Sequence, residues 1–191
     1  MASPTLEQLM ENKLEELNAA STTYMRKKKL AEALELYNAH PSLQKRWEYR
    51  AEEFHISKRF VRRMMVWFAP SHCIEFENVT PLPAGTFQVY VVLFYDVDNN
   101  LIYSKPGTTK RTITKRVTEE LTQYRKNGVC SAKVVRLWDV GEMPPEGLES
   151  ALRAYFIKKF PKNYVTNDRF NLLIDMEEVD KIKASYLDEG N

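Results

Sequence analysis

The run FQVYVVLFYDV, residues Phe87–Val97, constrains the fold more than any other feature of this sequence. It is rich in β-branched and aromatic residues and has no helical period, so it predicts a buried strand. The next three residues, Asp98, Asn99 and Asn100, favour a tight turn, and Leu101–Lys105 begins a return strand. This segment therefore predicts a β-hairpin.

The segments after the hairpin alternate between helical and strand patterns. Apolar residues at helical spacing predict helices over Thr112–Asn127, Glu146–Phe160 and Met176–Tyr186, and Ala132–Val140 predicts a third strand. The order ββαβα with a last helix is typical of an α/β (α+β) domain. We expect a small three-stranded, mainly antiparallel sheet flanked by helices.

The N-terminal part of the chain has a different period. Leucines from Leu6 to Leu17 recur at helical spacing, and further helices are expected up to residue 68. Residues 69–85 contain Pro70, Pro81 and Pro83 and show no period, which is typical of a linker. The sequence thus predicts an all-helical region at 1–68, a Pro-rich linker at 69–85 and the α/β domain at 86–191.

Composition excludes several classes of protein. Hydrophobic residues make up 43% of the chain and charged residues 28%, values that argue against wholesale disorder. No apolar stretch is long enough to span a bilayer, and the N-terminus lacks the pattern of a secretory signal. Cys73 and Cys130 form no CxxC pair, which argues against a disulfide framework. We expect a cytoplasmic protein with no membrane partner.

The basic residues are unevenly distributed, although the formal net charge is only +2. Between Thr22 and Arg63 there are eleven Lys and Arg against five Asp and Glu, and between Ser104 and Lys126 seven against two. Local basic patches of this kind are suited to a polyanion. The alternative, lysines and arginines that only solvate helix faces, stays open for either patch.

The segment Arg50–Met64 is similar to a helix-turn-helix. A short amphipathic helix meets a turn at His55, and the next helix is expected to expose its basic residues while Phe60 and Met64 pack. Such a face could contact phosphates, or it could belong to a helical bundle that packs on another surface. The candidate nucleic-acid contacts of this region are Arg50, Lys58, Arg59, Arg62 and Arg63.

The run LIYSKPGTTKRTITKRVTEEL, residues 101–121, resembles the core signature of the GIY-YIG nuclease superfamily. In that family the first hairpin strand carries a tyrosine, the second ends in a Tyr-x-Gly or Lys-x-Gly element, and a helix then carries an arginine. The matching residues here are Tyr90, Lys105, Gly107 and Arg116. The Lys-x-Gly form is most similar to the phage and bacterial branch, and the resemblance covers roughly residues 87–170. If the protein is phage-encoded, we expect it in the host cytoplasm.

The resemblance implies a metal-dependent endonuclease that hydrolyses phosphodiester bonds in DNA, with the N-terminal helices providing affinity or site choice. It makes Glu149, on a later helix, the ligand of Mg²⁺ or Mn²⁺. It makes Tyr90, Lys105, Arg116 and Glu149 the catalytic residues. Glu120 stands where many members have a histidine. The remaining candidate DNA contacts are Gly107, Thr109, Lys110, Arg111 and Asn167.

Phosphodiester cleavage explains why these residue types would be grouped. A tyrosine or lysine can orient or deprotonate the attacking water, and an arginine offers a planar, permanently charged fork to phosphate oxygens. One carboxylate can hold a Mg²⁺ ion that keeps several waters and neutralises charge on the phosphate. One such site cuts one strand, so double-strand cleavage requires a homodimer or sequential nicking.

Two other functions remain open at this stage. The same fold could serve a non-catalytic nucleic-acid-binding or regulatory protein, or the helices could form a protein interface without DNA. Taken singly, the candidate residues have structural explanations: Tyr90 as strand core, Arg116 with Glu119 or Glu120 as surface helix pairs, and Glu149 with Arg153 as an exposed i,i+4 pair.

Overall fold

The computed structural model describes residues 4–39, 62–63, 65–67, 70–141, 145–166 and 169–189. The chain divides into two compact units, Met1–Cys73 and Ile74–Asn191. Among the described residues, no helix combines the length and the apolar character that crossing a membrane requires.

The described part of the first unit is largely helical, as predicted. Helix α1 spans Leu6–Ala19, helix α2 spans Thr23–Ala39, and residues 62–63 and 65–67 also have helical backbone. A capping box begins α1, in which Thr5 and Gln8 exchange side-chain and backbone hydrogen bonds. Most of the predicted helix-turn-helix lies outside the described residues.

The second unit contains a four-stranded sheet, one strand more than the sequence predicted. Strands β1 (Ile74–Phe76), β2 (Gln88–Tyr95), β3 (Leu101–Thr109) and β4 (Ser131–Asp139) lie in the order β1-β4-β2-β3. Strand β2 pairs antiparallel with β3 and with β4, whereas β1 pairs parallel with β4. The prediction of three mainly antiparallel strands was therefore wrong in number, and the sheet is mixed. The extra strand lies in the segment interpreted as a linker, and it ends two residues before Asn78, which has a positive φ of 55°.

Three helices accompany this sheet: α3 (Ile113–Tyr124), α4 (Pro145–Lys159) and α5 (Met176–Glu189). Side chains alternate along β2, so its two faces meet different helices. Val89, Val91 and Leu93 pack in one apolar cluster with residues of α4 and α5. Phe94 faces the other way, with its ring 5.2 Å from that of Tyr124 in α3. The sheet thus separates a face under α3 from a face under α4 and α5.

Strand β3 lies at one edge of the sheet and continues through Pro106 and Gly107. Part of its outer side is paired with a later segment, because Ser104 and Phe170 exchange two backbone hydrogen bonds of 2.8 and 2.9 Å. The Ser104 hydroxyl also donates to the carbonyl oxygen of Leu172. These bonds fix β3 against the segment that follows α4.

Candidate active site

Tyr90, Lys105 and Arg116 meet at one carboxylate, that of Glu120. The Tyr90 hydroxyl donates to Glu120 Oε1 at 2.8 Å, and Lys105 Nζ donates to the same oxygen at 2.6 Å. Arg116 Nη2 lies 3.3 Å from it, and Arg116 Nε donates to the Tyr90 oxygen at 3.0 Å. We call these four residues the tyrosine cluster.

Three separate elements build the tyrosine cluster. Tyr90 comes from β2, Lys105 from β3, and α3 supplies Arg116 and Glu120 one turn apart. In the β2–β3 register Tyr90 is opposite Gly107 and Val92 is opposite Lys105, so alternation directs Tyr90 and Lys105 to the same face. That face is the one covered by α3.

The cluster is closed to solvent except at Arg116. Tyr90 is fully buried, Lys105 is 5% exposed and Glu120 is 2% exposed, whereas the Arg116 side chain is 37% exposed. Burial, and then the negative charge of Glu120, raise the pKa of the Tyr90 phenol above its ordinary value. The phenol is therefore protonated at neutral pH, and it can orient a neighbouring group through hydrogen bonds.

Glu120 carries an unbalanced set of hydrogen bonds. Its Oε1 accepts from Tyr90 and Lys105, while its Oε2 is buried and has no hydrogen-bond partner among the residues that the structure describes. A buried acceptor without a donor costs about 1–3 kcal/mol, and such groups in native proteins call for an explanation.

Gly107 is required by the close approach of β3 to the Tyr90 ring. A Cβ built at Gly107 would overlap the ring and lie 2.5 Å from the Tyr90 hydroxyl oxygen. A side chain at this position would push Tyr90 away from Glu120. The structure thus gives Gly107, a candidate DNA contact in the sequence, a packing role beside Tyr90.

Gly107→Ala is expected to lower the unfolding free energy by about 1–3 kcal/mol, the usual cost of overpacking a core. Chemical denaturation measures the loss. The control is the same substitution in a Tyr90→Leu background, where the ring that the new Cβ would overlap is absent. We expect that control to change stability by less than about 0.5 kcal/mol. Equal losses in the two backgrounds would contradict the packing role.

Glu149, the fourth predicted catalytic residue, does not belong to the tyrosine cluster. Glu149 lies on α4, and its Oε2 accepts a hydrogen bond of 3.1 Å from the Thr108 hydroxyl. Thr108 follows Gly107 on β3, so its side chain points to the opposite face of the sheet. The structure therefore brings together three of the four predicted catalytic residues and gives Glu149 a place on the other side of the same edge strand.

The remaining candidate contacts are partly described. Arg62, Arg63, Lys110 and Arg111 have exposed side chains, and Thr109 is half-buried with its hydroxyl accepting from the Arg111 backbone N–H. The candidates that lie outside the described residues are Arg50, Lys58, Arg59 and Asn167.

Glu149 has donor chemistry that fits Mg²⁺ or Mn²⁺. Within the described ranges, no group of three or more His, Cys, Asp or Glu is arranged to hold a metal ion. Mg²⁺ is commonly held by one or two carboxylates together with water and substrate phosphate. The tyrosine cluster, with two cationic side chains and one carboxylate, suits an anion instead.

Glu120 is the residue that the sequence interpretation left out of the site. It was considered only as a surface partner of Arg116 or as a replacement for the family histidine. Its position carried a usable signal, because it lies three residues after Val117 and four before Tyr124, on the buried face of α3. A glutamate on an apolar helix face needs a partner, and Lys105 is the partner.

Comparison of the chain with protein-family models, curated proteins and solved structures found no match.

Proposed function

We propose that this protein is a metal-dependent DNA endonuclease of the GIY-YIG type that hydrolyses phosphodiester bonds. The observation that carries the proposal is the convergence of Tyr90, Lys105 and Arg116 on a single oxygen of Glu120. These residues come from the two hairpin strands and the following helix, the elements from which the family resemblance draws them.

Arg116 supports the proposal through its exposure. Its guanidinium is the part of the tyrosine cluster that reaches solvent, and its fork matches phosphate oxygens. Lys110, Arg111 and Lys115 are exposed in the same stretch of chain and add positive charge for the DNA backbone. A phosphate would first meet Arg116, with the Tyr90 phenol held directly behind it.

Glu149 supports a role for Mg²⁺ or Mn²⁺. A bound ion would neutralise charge on the phosphate and on the leaving oxygen. Since β3 is an edge strand, a phosphodiester lying across that edge could contact Arg116 from one face and approach Glu149 from the other. The buried Tyr90 phenol would orient Arg116 by accepting the hydrogen bond from its Nε, so that the guanidinium faces the phosphate.

A plasmid-nicking assay tests the proposed function. We expect the wild-type protein to convert supercoiled DNA to the nicked form with Mg²⁺ or Mn²⁺, and Glu149→Ala to lose this activity. Glu146→Ala, an exposed glutamate on the same helix, is the control and should retain it. Equal activity in Glu149→Ala would mean contamination or a misplaced metal site. DNA binding without nicking under either metal would overturn the proposal.

The burial of Tyr90 and Lys105 favours a second candidate, a nucleic-acid-binding protein of the same fold that does not cleave. In such a protein Glu120 would permanently neutralise Lys105, and the exposed basic residues would contact phosphates only. DNA binding that weakens steeply with salt, in the absence of nicking, is the result expected of this candidate.

A further inference from the structure

We infer that Glu120 is a positioning residue of the proposed nuclease site. Its Oε1 fixes the positions of the Tyr90 phenol, the Lys105 ammonium and the Arg116 guanidinium relative to one another. The inference rests on the proposed function. It adds a residue that the family resemblance does not supply, since many members carry a histidine at this place.

The hydrogen-bond directions explain how the positioning works. The Tyr90 O–H donates to Glu120 while Arg116 Nε donates to the Tyr90 oxygen, so both the donor and an acceptor direction of the phenol are fixed. Lys105 donates to the same Glu120 oxygen, which ties β3 to α3 beside the phenol. Each group is held by a partner from another element. Rotation of one side chain would therefore disturb the other two.

The second carboxylate oxygen separates this arrangement from an ordinary buried ion pair. Glu120 Oε2 is buried without a donor in the described part of the chain. The two hydrogen-bond donors, Tyr90 and Lys105, and the ion-paired Arg116 guanidinium are all concentrated on Oε1. Selection for stability alone would favour satisfying both oxygens, whereas a site that must hold three groups at one point favours a single shared acceptor.

The exposed neighbour Glu119 provides a matched comparison. Its carboxylate pairs with Arg111 and lies 3.9 Å from Arg116 Nη1, so it has the same charge and contacts the same arginine. It does not contact Tyr90 or Lys105 in any described hydrogen bond or ion pair. A general effect of negative charge near Arg116 would therefore appear in variants of both glutamates.

The test compares Glu120→Gln with Glu119→Gln in single-turnover and steady-state DNA nicking. Glutamine keeps the shape and one acceptor oxygen but removes the charge that holds Lys105. We expect Glu120→Gln to lower kcat about 10–100-fold, the range found when groups that orient reacting residues are replaced. KM for DNA should change less than about threefold, because Arg116 still meets the phosphate. Glu119→Gln should leave kcat within about twofold of wild type.

A spectroscopic readout tests the contact without using activity. With ¹³Cζ-labelled tyrosine, the Tyr90 resonance, assigned by Tyr90→Phe, should shift in Glu120→Gln and stay in place in Glu119→Gln. In the wild-type protein the Tyr90 hydroxyl proton should exchange slowly with water, a measurement that needs no Glu120 variant to fold.

The outcomes separate the two proposals. If the wild type nicks DNA and Glu120→Gln keeps the wild-type kcat, the positioning role is overturned and the nuclease proposal stands. A rapidly exchanging Tyr90 hydroxyl, or an unshifted Tyr90 resonance in Glu120→Gln, overturns the positioning role in the same way. A wild-type protein that never nicks DNA overturns the proposed function and this inference with it.

Discussion

Lys105→Ala is expected to lower the unfolding free energy by about 3–5 kcal/mol, the usual cost of removing one partner from a buried ion pair. The reason is that the buried Glu120 carboxylate would lose its buried cationic partner and keep only the partly exposed Arg116. Both side chains are nearly inaccessible, at 6% and 3% exposure, and the Nζ–Oε1 distance is 2.6 Å. Urea denaturation of the purified variant measures the effect.

Lys133→Ala is the control for this experiment. Lys133 is also a strand lysine with acidic partners, Glu75 and Glu77, but those carboxylates are 76% and 53% exposed. Exposed pairs contribute about 0–1 kcal/mol, so this variant should stay close to wild type. The double variant Lys105→Met/Glu120→Met removes both buried charges and should recover most of the loss. Similar losses for Lys105→Ala and Lys133→Ala would contradict the buried ion pair.

Arg116→Ala is expected to reduce the nicking rate about 10²–10³-fold, the usual effect of losing one preorganised donor to a reacting oxyanion. The guanidinium is the solvent-reaching cation of the tyrosine cluster, and its removal also frees the Tyr90 oxygen from its Nε donor. Arg116→Lys should not restore the wild-type rate, because an ammonium cannot provide the planar fork.

Arg136→Ala is the matched control for the arginine. Arg136 on β4 forms a two-bond pair with Asp180 on α5, so it is ion-paired but belongs to the other face of the sheet. Its replacement should leave the nicking rate within about twofold of wild type. If both variants lost activity equally, the loss would reflect altered folding, and the proposed contact of Arg116 with the phosphate would be contradicted.

The hairpin could be predicted because its signals are local. The apolar run that forms β2 excludes an amphipathic helix, and the turn is stabilised by residues that the sequence displays directly. Asp96 accepts backbone hydrogen bonds of 2.8 Å from Asp98 and Asn100, and Asn99 takes a positive φ of 64°. The same is true of α3: a 3-10 turn, Arg125–Asn127, follows it, and Gly128 with φ 89° ends that turn.

Strand β3 and strand β1 show where local signals fail. The sequence predicted only the beginning of the return strand, Leu101–Lys105. Strand β3 continues through Pro106 and Gly107 to Thr109, because it lies at the sheet edge, where a missing N–H is tolerated. Strand β1 has three residues and pairs with β4, Ile74 opposite Ala132. A partner so distant in sequence leaves no periodic signal in the strand itself.

The candidate site was only partly predictable because its geometry depends on strand register, which is set by pairing between distant segments. The order of Tyr90, Lys105 and Arg116 along the chain indicated that they could meet, and they do. The face on which each residue lies depends on strand register, which the sequence does not state. Register determines that Thr108, and with it Glu149, lies on the face away from Tyr90.

The pairing of Ser104 with Phe170 affects whether another strand can add to the β3 edge of the sheet. An uncovered edge strand offers a row of free N–H and C=O groups to which a foreign strand can add. Here the segment after α4 occupies that position at Ser104 through two backbone bonds and one hydroxyl bond. The same segment that anchors β3 therefore also blocks the addition of a foreign strand at this position of the edge.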